Sequence, residues 1–426
     1  MSYILYFILI FSTIFQSLSI GDKLGSIAYS LTSIITPIIF IMYIFINRSI
    51  NISIYTKKLV NLMVYLILVS LIAVFFYVII LNNIGTYWGQ NLFIKGFRAS
   101  MYFLDIILFL ILIENLQNKV DINKIYYPFI FTYFVLFFVL LFEMYDPSLF
   151  NSIFHESQNY DRIRLLSSEA SSTGTLIVIF FLSTLNYYIN IKRNKKMILV
   201  SVVIFIIFLL VNRSKGLYVC LVITILYFVF KNLKINNLKA ILKLILSLVF
   251  LAIICRIFTL YILQYFTEDI QKYTSVVTRV YTTLCAFKIS VKYPFGIGTT
   301  LYPIVYTKEL ISNIYFLNHL NINFNLSEII SLIDSTTGKG VAAKISIAQY
   351  SMYWGILGTI YFLYSYWIKI YKNIKENNDI LLFGFVFIFI SIFTYASFEN
   401  NYEIWCFLVL IYNFKTKNLF VDNKYN

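Results

Sequence analysis

The sequence predicts an all-α polytopic integral membrane protein of about twelve transmembrane helices with one large, partly helical external loop over residues 264–343. Three observations predict it. Of the 426 residues, 60% are hydrophobic and only 12% are charged, against roughly 25% charged in a soluble domain. The apolar residues fall in continuous runs, of which 381–398 is a clear case. A hydrocarbon core about 30 Å thick takes roughly 20 such residues per helix, and continuity in place of alternation argues against a β-barrel. Basic residues, finally, concentrate in short loops on alternate turns, the pattern of a chain with one face in the cytoplasm.

In chain order the spans are expected at 3–20, 27–46, 59–81, 97–116, 126–142, 171–190, 197–211, 217–230, 244–263, 345–368, 380–398 and 403–414. The first run lacks a basic segment before it and an A-x-A-like site after it, so it is read as a helix and not as a cleaved signal peptide. Basic loops lie at 47–58 (Arg48, Lys57, Lys58), 117–124, 191–196 (Lys192, Arg193, Lys195, Lys196), 231–243 and 369–375, and in the tail after Phe414. They place both termini in the cytoplasm. Most of the net charge of +15 is thereby topological and does not point to nucleic acid. No internal repeat or soluble domain interrupts the pattern, and residues 1–426 read as a single transmembrane domain.

The 264–343 loop is too long to be a plain connection. Within it Val276, Val280, Leu284 and Phe287 recur at helical spacing, with Arg279 on an adjacent face. Tyr293-Pro294-Phe295-Gly296-Ile297-Gly298 then ends that helix. The stretch 310–333, apolar but dotted with Asn and Ser, is expected to form one or two helices lying in the outer interface.

Cationic residues gather where the charge bias of a membrane protein should deplete them. Arg98, Arg162, Arg164, Arg213, Lys215 and Arg279 all fall at outer loops or outer helix ends. Such a set suits an anionic, lipid-borne substrate, since guanidinium forks match phosphate oxygens bidentately. For any one arginine, contact with lipid headgroups or pairing with Glu169, Glu268 or Asp269 is an equal reading. Glu169 itself has two readings. It can accept a proton from an attacking sugar hydroxyl, or it can sit in the first turn of the following helix, favoured by the macrodipole beside a Ser167 or Ser168 cap; on the residues alone the second is the simpler.

Asp105 and Arg256, inside apolar spans at matching depths of about 10–12 Å, are expected to face each other. Tyr87, Trp88 and Trp354 have faces suited to sugar rings, although interfacial aromatics are common in any membrane protein. The four cysteines (Cys220, Cys255, Cys285, Cys406) show no C-x-x-C spacing, and His155 and His319 sit in no metal motif, so neither a disulfide framework nor a metal site is expected.

Four local patterns resemble the bacterial O-antigen and capsular polysaccharide polymerases (Wzy type), within the broad group that includes the O-antigen ligases. Arg162-Ile163-Arg164-Leu165-Leu166-Ser167-Ser168-Glu169-Ala170-Ser171 resembles an R-x-x-G-L-F-x-E-P-S pattern, with Leu165 where the family often has Gly and Ala170 where it often has Pro. Asn212-Arg213-Ser214-Lys215-Gly216 resembles an S-R-G or S-K-T motif that opens a span. Arg279 followed about fourteen residues later by the Pro294-Phe295-Gly296-Ile297-Gly298 turn is the third, and Ser351-Met352-Tyr353-Trp354-Gly355-Ile356-Leu357-Gly358, similar to E-x-G-I-L-G, is the fourth. The ligase histidine expected before the closing helix is absent, the segment reading Gly340-Val341-Ala342-Ala343-Lys344-Ile345-Ser346.

The resemblance implies an inner-membrane glycosyltransferase that joins lipid-diphosphate-linked oligosaccharide units on the outer side. Glu169, Arg279 and Arg162 would be catalytic, with Glu169 as the base. Arg164, Arg213, Lys215, Arg98, Gly296 and Gly298 would hold the diphosphate and sugars. No metal and no cofactor are implied, because the donor is already activated. The partners would be the polyprenyl-diphosphate-linked oligosaccharide, membrane lipid and a chain-length regulator protein, with no nucleic acid. The alternatives are an O-antigen ligase and a lipid-linked oligosaccharide flippase or transporter.

Overall fold

Backbone polar groups have no water to bond with in a bilayer, so continuous apolar runs must satisfy them internally, as helices. The computed structural model of the chain describes residues 1–16, 18, 30–47, 49–148, 163–167, 170–212, 214–231, 275–318, 327–333 and 342–422. They are mostly helical. Among the described residues five helices are long and apolar enough to cross a membrane: Ile54–Ile80, Leu92–Asn118, Ile122–Tyr145, Ser171–Ile191 and Lys195–Asn212. Shorter apolar helices are Ser2–Ser12, Leu31–Asn47, Asp379–Ile392 and Tyr402–Asn413. The expected span at 244–263 lies outside the described residues.

The first helix is shorter than its apolar run. Ser12 and Thr13 donate from their hydroxyls to the Leu9 and Ile10 carbonyls at 2.8 and 2.7 Å, a local competition with the backbone that favours helix ends. The chain then turns extended, and the Gln16 N–H bonds to the Leu166 carbonyl at 3.4 Å.

The chain divides into two compact units. The first comprises Met1–Val64, Ala99–Leu217 and Ile360–Asn426, and the second Tyr65–Arg98 and Tyr218–Thr359. Aromatic packing builds the core of the first: Phe181 stacks on Phe205 with centroids 4.0 Å apart and rings 3° from parallel, and Phe129 packs on Phe180 at 5.7 Å. Asn186 is a buried polar joint. It donates to the Tyr126 hydroxyl at 2.7 Å and accepts from Asn378 at 2.6 Å, while Asn378 caps the Asp379–Ile392 helix.

A ladder of polar bonds joins Leu92–Asn118 to Tyr402–Asp422. The Tyr402 hydroxyl donates to Asp105, the Tyr412 hydroxyl to Glu114, and Asn413 to Gln117 at 2.9 Å. Partners advance together along both helices, so the two run in the same direction. Glu114 also accepts from the Ser53 and Thr56 hydroxyls at 2.8 and 2.5 Å, which fixes the start of the Ile54–Phe75 helix. Arg256, the expected partner of Asp105, lies outside the described residues.

In the second unit the Ser275–Lys292 and Gly298–Asn318 helices form a hairpin across the Pro294–Gly298 turn. The Tyr306 hydroxyl donates to the Thr282 carbonyl at 3.1 Å, and the Tyr281 hydroxyl donates to that of Leu310. Spacing predicts the first of these helices, and the apolar stripe that gives the spacing is not the face the protein buries. Val280 and Leu284 are 56% and 64% exposed, whereas Thr278, Tyr281, Thr282, Cys285 and Ile289 are buried. Periodicity fixes that a stripe exists without fixing whether protein or lipid covers it.

Candidate functional site

The first two polymerase-like stretches meet in the first unit. Residues 163–167 precede the helix that begins at Ala170, and Asn212, at the end of the Lys195–Asn212 helix, donates from its amide to the Ile163 carbonyl at 3.3 Å. Gly174 permits the next contact: a Cβ there would stand 3.1 Å from Leu217 Cβ, so the two following helices approach closely at this point. Gly216 lies against the Tyr395 ring, and the Thr175 hydroxyl donates to the Tyr395 hydroxyl at 3.0 Å.

Glu143 shapes the first stretch. Its Oε1 accepts the Arg164 N–H at 2.9 Å and its Oε2 the Leu165 N–H at 2.8 Å. Arg164 and Glu143 are both buried, and the guanidinium acts electrostatically on the carboxylate. The Thr173 hydroxyl donates to the Arg164 carbonyl at 2.6 Å, and the Ser167 N–H reaches the same oxygen at 3.0 Å. Leu165 adopts φ +52°, the left-handed region that costs an L-residue roughly 1–2 kcal/mol. The backbone thus takes a glycine-like conformation at the position where the polymerase pattern often has Gly. Beneath it, Gln16 bonds to Glu403 and accepts from Asn401 at 3.0 Å, which tethers this loop to the Tyr402–Asp422 helix.

The third and fourth stretches meet in the second unit, backbone against backbone. The Ile297 N–H donates to the Met352 carbonyl at 3.1 Å and the Leu357 N–H to the Pro294 carbonyl at 3.2 Å. Gly296 (φ +89°) and Gly355 (φ +68°) face each other across this crossing. A Cβ on Gly296 would collide with the Tyr353 carbonyl, and one on Gly355 with the Pro294 carbonyl. Gly355 also breaks the Ser346–Phe362 helix. Gly298 (φ +67°) abuts Ser70, whose hydroxyl accepts the Thr299 N–H at 2.9 Å, and the Tyr65 hydroxyl donates to the Phe295 carbonyl at 2.7 Å.

Beside this crossing a cleft of about 330 Å³ opens, lined by Tyr77, Lys292, Tyr293, Lys308, Glu309 and Ser312 among others. That volume lies at the lower end for small-ligand sites. Glu309 bonds to Lys288 at 2.6 Å and accepts from Asn313 at 2.7 Å. Burial raises the Glu309 carboxyl, but the Lys288 and Asn313 hydrogen bonds, with the charges of Lys288 and Lys292, outweigh it and hold the group below the usual carboxylate range. Three lysines around one carboxylate leave the cleft cationic. None of Tyr77, Lys292, Lys308 or Glu309 stands out in the sequence; the hairpin assembles them.

The expected site residues therefore fall into separate groups. Arg164 and Lys215 belong to the first unit, and Arg98, Arg279, Gly296 and Gly298 to the second. Arg279 is half-exposed on the Ser275–Lys292 helix, about 20 Å along it from Lys292 at 1.5 Å per residue. Arg98 is exposed. Arg162, Glu169 and Arg213 lie outside the described residues. Trp354 is fully buried against Tyr350, and its ring is closed to a ligand. Tyr87 and Trp88 stack on each other at 4.8 Å in a tight hairpin turn where Trp88 and Gly89 both have positive φ. Among the described residues no group of three or more His, Cys, Asp or Glu side chains is placed to hold a metal ion.

The chain is similar to a Klebsiella pneumoniae protein described as an uncharacterized 49.5 kDa protein in the cps region. The two are 29% identical over 327 residues, which cover 74% of this chain and 72% of that protein. No family model and no solved structure matches the chain.

Proposed function

We propose that this protein is a membrane glycosyltransferase that polymerises lipid-diphosphate-linked oligosaccharide repeat units into a capsular or O-antigen polysaccharide on the outer side of a bacterial cytoplasmic membrane. The observation that carries the reading is the pairing of the four polymerase-like stretches, the first with the second and the third with the fourth, by direct backbone and side-chain bonds. The glycine-like backbone at Leu165 adds to it, and so does the likeness to a protein of a capsule region.

In the proposed reaction a hydroxyl of the acceptor unit attacks the anomeric carbon of the donor. The new glycosidic C–O bond forms as the bond to the polyprenyl diphosphate breaks, and the hydroxyl proton passes to a base, for which Glu169 is the choice. Arg162, Arg279 and Lys215, supported by Arg213 and Arg98, stabilise the departing diphosphate. Arg164, buried against Glu143, holds the loop that carries Arg162. About twelve spans with both termini cytoplasmic, and the 264–343 loop outside, complete the reading. The parallel run of Leu92–Asn118 and Tyr402–Asp422 supports it, because the fourth and twelfth spans of that order point the same way.

Deletion of the gene in a capsulated or O-antigen-bearing host tests the activity. Surface glycolipid carrying a single repeat unit is the expected product. Polymer stranded on its lipid carrier would identify a ligase, and repeat units trapped on the cytoplasmic face a flippase.

A further inference from the structure

A second concavity, in the first unit, has a chemistry of its own. It is a groove of about 580 Å³ between the Ile122–Tyr145 helix, the Tyr187–Ile191 turn and the start of the Lys195–Asn212 helix, lined by Tyr127, Phe131, Tyr187, Tyr188, Lys192 and Met197 among others. Its wall is apolar and open to the surroundings of the bundle: Tyr127 is 41% and Phe131 49% exposed. A π-turn over Tyr187–Ile191 forms one edge, a feature that often marks functional positions in helices. The Tyr127 and Tyr187 rings pack edge to face across the groove, with centroids 6.0 Å apart.

One end of the groove is strongly cationic. Lys192, Arg193, Lys195 and Lys196 fall within five residues, and no acid occurs between Tyr187 and Met197. The turn is rigidly made: Arg193 takes φ +49°, and Asn194 caps the next helix by accepting the Lys196 and Met197 N–H groups at 3.1 and 3.3 Å. At the start of the Ile122–Tyr145 helix Asp121 is paired with Lys124 at 3.6 Å, and among the described residues no acid pairs with Lys192, Arg193, Lys195 or Lys196. A trough with an aromatic and aliphatic wall, tyrosines near its mouth and lysines at one end has the polarity profile of one lipid molecule.

We propose that this groove holds one anionic phospholipid of the leaflet that the basic turn faces. The headgroup phosphate sits at Lys192 and an acyl chain lies along Phe131, Phe134 and Met197. The proposal is independent of the catalytic reading.

The full-length protein, purified in nanodiscs of zwitterionic phosphatidylcholine with a minor fraction of phosphatidylglycerol, tests it by native mass spectrometry. One phosphatidylglycerol is expected to remain bound to the wild type after most other lipid is stripped. Lys192→Gln should weaken its retention about fivefold, the effect of one interfacial cation. The double variant Lys195→Gln/Lys196→Gln removes more charge outside the lining and should change retention less than Lys192→Gln. Equal retention of phosphatidylcholine and phosphatidylglycerol, or a larger effect of the double variant, overturns the proposal. So does displacement of the phospholipid by an equal amount of polyprenyl phosphate, which would make the carrier lipid the occupant.

Discussion

The carboxylate of Glu143 holds Leu165 in a left-handed conformation, accepting its N–H at 2.8 Å and that of Arg164 at 2.9 Å. Leu165 is fully buried, so trimming it costs the few kcal/mol of a core cavity. Glycine, however, is free of the left-handed penalty that alanine retains. Leu165→Gly is therefore expected to be more stable than Leu165→Ala by about 1 kcal/mol, the reverse of their usual order, and apparent melting temperatures of the two purified variants check it. Glu143→Gln should cost about 1.5–3 kcal/mol, because an amide has one acceptor oxygen for two N–H groups.

Gly296 and Gly355 share one crossing, with no space for a side chain on either. Gly296→Ala and Gly355→Ala should each abolish folded protein or activity. The double variant should be no worse than the single ones, since both break the same contact. Gly89 is the control: it also has positive φ, yet nothing lies within 4 Å of its added Cβ. Gly89→Ala should cost only about 1 kcal/mol, and the yield of monodisperse protein distinguishes the cases.

The two helices joined by the Asp105–Tyr402 and Glu114–Tyr412 bonds run in parallel. Cysteines placed at residues 119 and 422 of a cysteine-free variant should therefore react with an impermeant thiol reagent from the same side of the membrane. Labelling from opposite sides would contradict the helix order.

Glu309 gives the second unit an acid sensitivity. Its folded carboxyl lies below its ordinary range, about 4.3 for a free glutamate. The stabilisation is thus fully present above that ordinary value and is lost as pH falls through the lower, folded value. Melting followed from about pH 6 to about pH 3 should show a loss in the wild type that is smaller in Glu309→Gln.

Much of the architecture is legible in the residues. Apolar runs mark the helices, and Gly296 and Gly298 mark positive-φ positions that the structure contains. Other features leave no local mark. Glu143 is one acid at the end of an apolar run, and only folding sets it against Arg164, 21 residues on. Leu165 takes a glycine conformation without being glycine. Gly355 sits in a stretch that reads as unbroken helix, and its contact with Pro294, not local preference, decides the break. The outward Val280 and Leu284 stripe reflects a solvent for which periodicity has no sign.

The most direct test reconstitutes the purified protein in proteoliposomes with a defined polyprenyl-diphosphate repeat unit and resolves the products by length. Wild type is expected to yield a series of lipid-linked multiples of the unit, with the series lost in Arg279→Ala and in Glu169→Gln. A wild-type reaction that leaves only single units would contradict the proposed polymerase, and undiminished chains in both variants would remove Arg279 and Glu169 from its chemistry.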